Sequence, residues 1–165
     1  MGAGAVAQRL AELGIELPPV AAAAGSYLPT VRSGNHVYTS GQLPFSGGRL
    51  VATGKVGAEV SPEDAKDIAR QAGLNLLAAV DAETGLDNVV RVVKVVGFVA
   101  SAEGFTGQPG VVNGVSDLLV EVLGAAGRHA RSAVGVAELP LGAPVEVEAI
   151  IEVRGSDPQG QNVDR

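Results

Sequence analysis

Apolar residues recur along this chain with the spacing of helices in some stretches and of strands in others. The clearest helical stretch begins at Ser61, whose side chain is suited to cap a helix, and continues with Pro62 in the first turn. Apolar residues then repeat every three or four positions until Gly85, which ends the pattern. The same spacing predicts a second helix over 111–123 and a short one over 6–14.

Runs of β-branched and aromatic residues predict five strands. Two of them, over 27–32 and 36–41, are separated by a Ser-Gly-Asn turn and are expected to form a hairpin. The run of valines over 89–99 is typical of a central, buried strand. Two final strands are predicted near 131–137 and 145–153.

The order of the main elements is ββαβαββ, and each long helix leads into a strand. This order predicts an α+β fold with a mixed sheet and two main helices packed on one face. In the last strand the apolar residues alternate with Glu146, Glu148 and Glu152. Because alternate residues point to opposite faces, the apolar side should meet the helices and the acidic side should face a solvent cleft or another subunit.

The composition is that of a single globular domain. The chain has 165 residues, of which 46% are hydrophobic and 18% are charged. We divide it into an N-terminal extension with a short helix (1–24), one domain (25–154) and a disordered, polar tail (155–165). Within the domain, the segments 46–57 and 101–110 are rich in glycine and are predicted to be loops.

Charge and residue usage exclude several classes of function. A net charge of −6 and only 3% aromatic residues argue against a nucleic-acid partner. The lack of cysteine excludes disulfides and thiol nucleophiles, and with only two histidines a zinc site is not expected. We find no apolar run long enough to span a bilayer and no signal peptide, and therefore expect a cytoplasmic protein without a membrane partner.

One arginine and one glutamate stand out as candidate functional residues. Arg131 lies near the start of an apolar strand, and Glu146 follows fifteen residues later, beyond a Leu-Pro-Leu-Gly turn. A guanidinium keeps its charge and offers a flat fork of donors that matches a carboxylate or a phosphate. We expect the two side chains on neighbouring strands, where they could hold a small acid and transfer its protons.

Six short motifs occur in one order along most of the chain. They are Gly25-Ser26-Tyr27, Thr39-Ser40-Gly41-Gln42-Leu43-Pro44, Gln71 with Asn75-Leu76, Val112-Asn113, Ala130-Arg131-Ser132 and Val145-Glu146-Val147-Glu148-Ala149. In these motifs the chain resembles the RidA/YjgF family of reactive intermediate deaminases, also called endoribonuclease L-PSP-like proteins. The resemblance extends from about Gly25 to Val153.

The resemblance implies a chorismate-mutase-like fold and a homotrimer with active sites between adjacent subunits. It also implies hydrolysis of 2-imino or 2-enamino acids to 2-oxo acids and ammonia, with no metal or organic cofactor. Arg131 would then bind the substrate carboxylate, and Glu146 would orient and deprotonate the attacking water. The other residues that the resemblance implies for substrate binding are Tyr27, Ser40, Gly41 and Asn113.

Two other functions remain open at this point. The same trimer clefts could bind a 2-oxo acid or a similar metabolite without catalysis, as a sensor. An endoribonuclease, as the older family name implies, is disfavoured because strand binding needs cationic grooves and stacking surfaces. Glu148 lies on the same strand face as Glu146, but the spacing from Arg131 favours Glu146 as the catalytic acid.

The chain departs from the family pattern at several places. His129 stands where the family often has proline, which predicts a looser start of the strand that carries Arg131. Ala133 replaces a cysteine that is reactive in some members, and this removes thiol-dependent chemistry. The loop over 101–110 is longer than usual, and the N-terminal helix is additional.

Overall fold

The structure is a computed structural model that describes residues 4–21 and 25–155. The predicted disordered tail lies outside these residues, apart from Gly155. The helices are α1 (Ala5–Leu13), α2 (Pro62–Thr84) and α3 (Gln108–Leu123). The strands are β1 (Thr30–Ser33), β2 (His36–Thr39), β3 (Phe45–Ser46), β4 (Arg49–Leu50), β5 (Val89–Ala100), β6 (Ala130–Val136) and β7 (Val145–Val153). Short 3₁₀ turns occupy Leu86–Asn88, Gly124–Gly127 and Pro140–Gly142.

Five strands form one sheet in the order β1-β2-β7-β5-β6, and β3 pairs with β4 in a separate hairpin. Only β5 and β6 run parallel within the five-stranded sheet. The predicted mixed sheet and α+β class are therefore confirmed. The predicted first hairpin is confirmed as well: Gly34 and Asn35 form its turn, and Gly34 has a φ of 58°, which a residue without Cβ adopts at little cost.

Helices α2 and α3 pack against each other and against the same face of the sheet. The hydroxyl of Ser61 caps α2 by accepting a hydrogen bond from the backbone N–H of Asp64 at 3.1 Å, as the sequence predicts. At Gly97 of β5, a Cβ atom would overlap the side chain of Val112, so α3 can lie close to the sheet only because this side chain is absent.

The last strand alternates as predicted between buried and half-buried residues. Its buried side chains face the helices and belong to the core: Val145, Val147, Ala149, Ile151 and Val153. The opposite face of the sheet carries Glu146 and Glu148, together with Val134 and Tyr38, which are 44% and 45% exposed. One face of the sheet is thus covered by helices, and the residues of the other face are partly exposed.

Several boundaries differ from the sequence prediction: β1 begins at Thr30 rather than at residue 27, and β2 ends at Thr39 rather than at residue 41. The segment 46–57 is not entirely loop, since β3 and β4 form a small hairpin across its start. Helix α3 begins at Gln108 rather than at residue 111, with Pro109 in its first turn, a position that proline favours. The glycines on both sides of Pro109 interrupt the apolar periodicity, so the pattern places the start of the helix too late.

The predicted N-terminal helix is present and is attached to the rest of the chain. The backbone N–H of Val6 donates to the Asp87 carboxylate at 2.9 Å, and the Arg9 Nε donates to the backbone oxygen of Glu121 in α3 at 3.0 Å. Gly14 ends the helix with a φ of 65°. These contacts place α1 against the 3₁₀ turn after α2 and against α3.

One segment, Gln108–Gly127, is long and apolar enough to cross a membrane by length and composition alone. This corrects the expectation that the sequence has no such run. The segment comprises α3 and the 3₁₀ turn after it, and the buried face of α3 packs on α2 and the sheet. Its apolar residues are therefore those of a core helix: Val111, Val112, Val115, Leu118, Leu119 and Val122.

Candidate functional site

Arg131 and Glu146 do not lie on neighbouring strands, which corrects the sequence prediction. Strand β5 separates β6 from β7, because β7 inserts between β5 and β2. Arg131 is in register with Val95 and, across it, with Ala149. Glu146 is three residues from Ala149, an odd number, so the two charged side chains leave the sheet on opposite faces.

The first part of the site is a cavity of about 420 Å³ that we call the Glu146 pocket. Three of the predicted site residues line it: Tyr27, Gly41 and Glu146. The other lining residues are mostly apolar: Ala21, Pro29, Gln42, Leu43, Phe45, Pro140 and Leu141. The pocket thus offers one carboxyl group in largely hydrophobic surroundings.

Gly41 determines where the carboxyl of Glu146 lies. A Cβ atom at Gly41 would overlap the carboxylate, so this carboxylate occupies the space of the missing side chain. The adjacent Gln42 is fixed to Val147 by two backbone hydrogen bonds, of 2.7 and 3.1 Å. The Ser-Gly-Gln motif therefore places a side-chain-free position directly beside the catalytic candidate.

Glu146 has no hydrogen-bond or ion-pair partner within the described part of the chain. Burial in the pocket raises the pKa of its carboxyl above the ordinary value, and the negative charge of Glu148 raises that pKa further. Both causes disfavour the ionised form. Such a carboxyl can exchange a proton closer to neutral pH than an exposed glutamate, as a general acid or base requires.

Ser40 is hydrogen-bonded to the segment that forms one wall of the Glu146 pocket. Its hydroxyl donates to the backbone oxygen of Leu28 at 2.6 Å, and its backbone N–H donates to the oxygen of Pro29 at 2.8 Å. These bonds hold the segment next to Tyr27, whose side chain is 50% exposed and lines the pocket. In the single chain, Ser40 thus positions the wall that carries Tyr27.

The rim of the pocket contains one strained residue. Leu141, in the turn between β6 and β7, has a φ of 60° and a ψ of 14°, a left-handed conformation that is uncommon for a residue with a Cβ. Its side chain is 67% exposed and lines the pocket beside Pro140. Strain of this kind is concentrated at functional sites, where surrounding structure holds it.

The second part of the site surrounds Arg131, and we call it the Arg131 cluster. Nη1 donates to Asn113 Oδ1 at 2.8 Å and to Ser116 Oγ at 3.1 Å, and Nη2 donates to the backbone oxygen of Pro109 at 3.2 Å. All three acceptors belong to α3, where spacings of four and three residues place them on one helix face. The structure therefore brings the predicted residues Arg131 and Asn113 together.

The charge of Arg131 is not compensated by any carboxylate of the described residues. Its Nε–H likewise has no acceptor among them. A carboxylate binds arginine through two parallel N–H···O bonds from adjacent nitrogens of the guanidinium plane. The three neutral oxygens thus fix this plane while its charge and its Nε donor remain available to an anion.

In one chain, the predicted site residues form two separate groups. Pro109, Ser116 and His129, which contacts Ser116, were missed by the sequence reasoning. Their spacing on α3 could have revealed Pro109 and Ser116, had the helix been started at Gln108. No cluster of three or more His, Cys, Asp or Glu suited to a metal occurs within residues 4–21 and 25–155.

Comparison with known proteins identifies relatives along nearly the whole chain. A family described as "YjgF/chorismate mutase-like, putative endoribonuclease" matches residues 7–152. Protein TCP17 of Trypanosoma cruzi is 45% identical over 155 residues, which cover 93% of this chain and 97% of the relative. A 2-iminobutanoate/2-iminopropanoate deaminase of Dermatophagoides farinae is 35% identical over 129 residues, 78% of this chain and 87% of the relative.

Solved structures share the same fold. The protein Atu1372 of Agrobacterium tumefaciens, whose function is unknown, is 45% identical and superimposes with a TM-score of 0.83. The match covers 90% of this chain and 92% of Atu1372.

Proposed function

The chain belongs to the YjgF/chorismate mutase-like family, and from this premise and the geometry of the two charged groups we propose that it is a deaminase of reactive imines. The proposed reaction hydrolyses 2-imino or 2-enamino acids to 2-oxo acids and ammonia. It takes place in the cytoplasm, in clefts between the protomers of a homotrimer, and uses no metal or organic cofactor. Each cleft combines the Arg131 cluster of one protomer with the Glu146 pocket of its neighbour.

The uncompensated charge of Arg131 is the observation that carries the proposal. An arginine held by three neutral oxygens, with its Nε–H unoccupied by the described residues, is prepared to bind a small acid. Its strand β6 is an edge of the sheet, so a second copy can approach it without breaking strand pairing. Asn113 adds an amide next to the guanidinium for orienting the substrate nitrogen.

Glu146 supplies the proton transfers. With an enamino acid, its protonated carboxyl delivers a proton to C3, which gives the iminium. The carboxylate then accepts a proton from water as the water oxygen bonds to C2. Glu146 passes that proton to the nitrogen of the resulting carbinolamine. The C–N bond then breaks as the Glu146 carboxylate takes the proton of the C2 hydroxyl, which releases ammonia and the 2-oxo acid and restores the protonated carboxyl. A pKa raised by burial suits a group that must give and take a proton in one cycle.

The test is a coupled assay in which an amino-acid oxidase generates 2-iminobutanoate and its decay is followed with and without the protein. Arg131→Ala should raise KM at least about tenfold, because a charge-assisted hydrogen-bond pair is lost. Glu146→Gln should lower kcat by about 10²- to 10⁴-fold, as expected for loss of a general acid–base. Arg128→Ala and Glu103→Gln, both at exposed positions, are matched controls that should retain most of the activity.

Other outcomes would contradict the proposal in distinct ways. A wild-type protein that binds 2-oxobutanoate without accelerating imine decay would be a binding protein. Ribonuclease activity that is unchanged in Arg131→Ala would favour the endoribonuclease alternative. A monomer by light scattering would contradict the shared cleft, because the two charged groups lie apart in one chain.

A further inference from the structure

A serine and a histidine connect Arg131 to the backbone of the chain. Ser116 Oγ lies 3.1 Å from Arg131 Nη1 and 3.0 Å from the Nε2 of His129. The other ring nitrogen of His129, Nδ1, lies 2.6 Å from the backbone oxygen of Gly127. The start of β6 is therefore fastened through both ring nitrogens, which differs from the looser start that the replacement of proline predicted.

The hydrogen-bond partners of His129 determine which nitrogen of the neutral ring carries the hydrogen. A backbone carbonyl can only accept, so Nδ1 carries the hydrogen that Gly127 binds. In a neutral ring, Nε2 is then an acceptor, and the hydroxyl of Ser116 donates to it. The lone pairs of that hydroxyl remain for Arg131 Nη1. In the series Arg131, Ser116, His129 and Gly127, each residue therefore donates a hydrogen bond to the next.

Packing fixes the backbone oxygen of Gly127, the last acceptor in this series of hydrogen bonds. A Cβ atom at Gly127 would collide with the backbone of Leu119, so the 3₁₀ turn that contains Gly127 lies directly on α3. Ser116 belongs to the same helix. The two hydrogen-bond partners of His129 thus belong to packed segments that cannot move apart independently.

We propose that His129 is a positioning residue for Arg131, acting through Ser116. The inference rests on the proposed role of Arg131 in binding the substrate carboxylate. Without the His129 ring, the hydroxyl hydrogen of Ser116 loses its acceptor at Nε2. The hydroxyl is then free to rotate, and its lone pairs are no longer held toward Arg131 Nη1.

The experiment measures the Kd of 2-oxobutanoate and the KM and kcat for 2-iminobutanoate at one fixed pH. In His129→Ala, Kd and KM should increase about three- to tenfold with little change in kcat, because a hydrogen bond to the binding group is weakened. His129→Gln keeps an acceptor near the Nε2 position, so its constants should stay near the wild-type values.

Wild-type constants in His129→Ala, or constants in His129→Gln as weak as those of His129→Ala, would overturn the proposal. A readout without activity separates its failure from that of the proposed deaminase function. In the full chain, nitrogen NMR should find the neutral His129 ring protonated at Nδ1. The Arg131 Nε signal should move in His129→Ala, and the same substitution should not move it when Ser116 is also replaced by alanine. If Nε2 carries the proton, or the Arg131 signal is unresponsive, the connection does not exist, whatever the protein catalyses.

Discussion

The guanidinium of Arg131 is surrounded by polar atoms, whereas the carboxyl of Glu146 faces mostly apolar side chains. Three oxygens of one helix hold the cation, and its charge is left without a carboxylate among the described residues. The carboxyl of Glu146 occupies the space of the side chain that Gly41 lacks. Within the described residues, neither a hydrogen-bond donor nor a cation is its partner. The charge of Arg131 is thus held in place, whereas the ionised form of Glu146 is destabilised.

This difference matches the two tasks of the proposed reaction. A group that binds an anion should be rigid and permanently charged, since a carboxylate gains most from a fixed pair of donors. A group that transfers protons must change its charge during each cycle, so surroundings that disfavour its ionised form are useful. The same sheet carries both groups because its two faces offer different surroundings.

Among changes beside the two charged groups rather than in them, the largest expected effect comes from adding a methyl group to the Glu146 pocket. In Gly41→Ala the new Cβ would displace the carboxylate of Glu146, and a shifted proton-transfer group should lower kcat about 10²-fold. The displaced group is the flexible end of a side chain, so the melting temperature should change little. Gly110→Ala, at the first turn of α3 near the Arg131 cluster, meets no atom within 4 Å and is the matched control, expected to retain kcat.

A kcat of Gly41→Ala close to that of the wild type would show that the position of Glu146 is unimportant. A loss of activity in Gly110→Ala of equal size would mean that neither effect is specific to the pocket. Circular dichroism of both variants checks that the fold is retained.

A smaller effect is expected on the pH dependence of stability. Because burial raises the pKa of Glu146 in the folded chain, this chain binds the proton more tightly than the unfolded one, and its stability falls as pH rises through the interval between the two pKa values. Glu146→Gln should therefore be more stable than the wild type at about pH 8. The difference should vanish below about pH 4, where the unfolded glutamate is also protonated.

Thermal unfolding at a series of pH values measures this difference. Glu103→Gln, at an exposed position, is the control and should follow the wild type throughout. If Glu146→Gln is less stable than the wild type at neutral pH, the carboxylate has a favourable partner and the contrast with Arg131 is lost.

The smallest effect concerns the strained rim of the Glu146 pocket. Leu141→Gly should raise the free energy of unfolding by up to about 1 kcal/mol, because a positive φ is costly for a residue with a Cβ and is free for glycine. The substrate KM should rise modestly as an apolar wall is removed. Leu139→Gly, two residues earlier with a φ of −124°, should instead destabilise the chain. Denaturant titrations compare the two, and a destabilised Leu141→Gly would show that its side chain packs usefully.

The sequence predicts most of the secondary structure because the signals are local. Ser61 and Gly85 mark the ends of α2, and alternation along β7 identifies the buried face. Which strands become neighbours depends on contacts between distant segments, and the short link between β6 and β7 favoured a direct pairing that β5 prevents. The separation of Arg131 and Glu146 within one chain therefore could not be read from their spacing.

The candidate site was predictable to the extent that motifs name residue types. Tyr27, Gly41 and Glu146 do line one pocket, and Asn113 does bind Arg131. The contacts of Ser116 and His129 carry no motif, since each is an ordinary hydrogen bond whose partner is fixed only by helix packing. That Ser116 and His129 contribute to substrate binding is a prediction, which the Ser116 and His129 variants test.

Gly97 has a consequence beyond the packing of α3. Val112 fills the space of its missing side chain, and the next residue on that helix is Asn113, the shortest contact of Arg131. A single methyl group at this position of β5 would push α3 away from the sheet and carry the amide away from the guanidinium. The contact between Arg131 and Asn113 therefore depends on Gly97, a residue that contacts neither the arginine nor its proposed ligand.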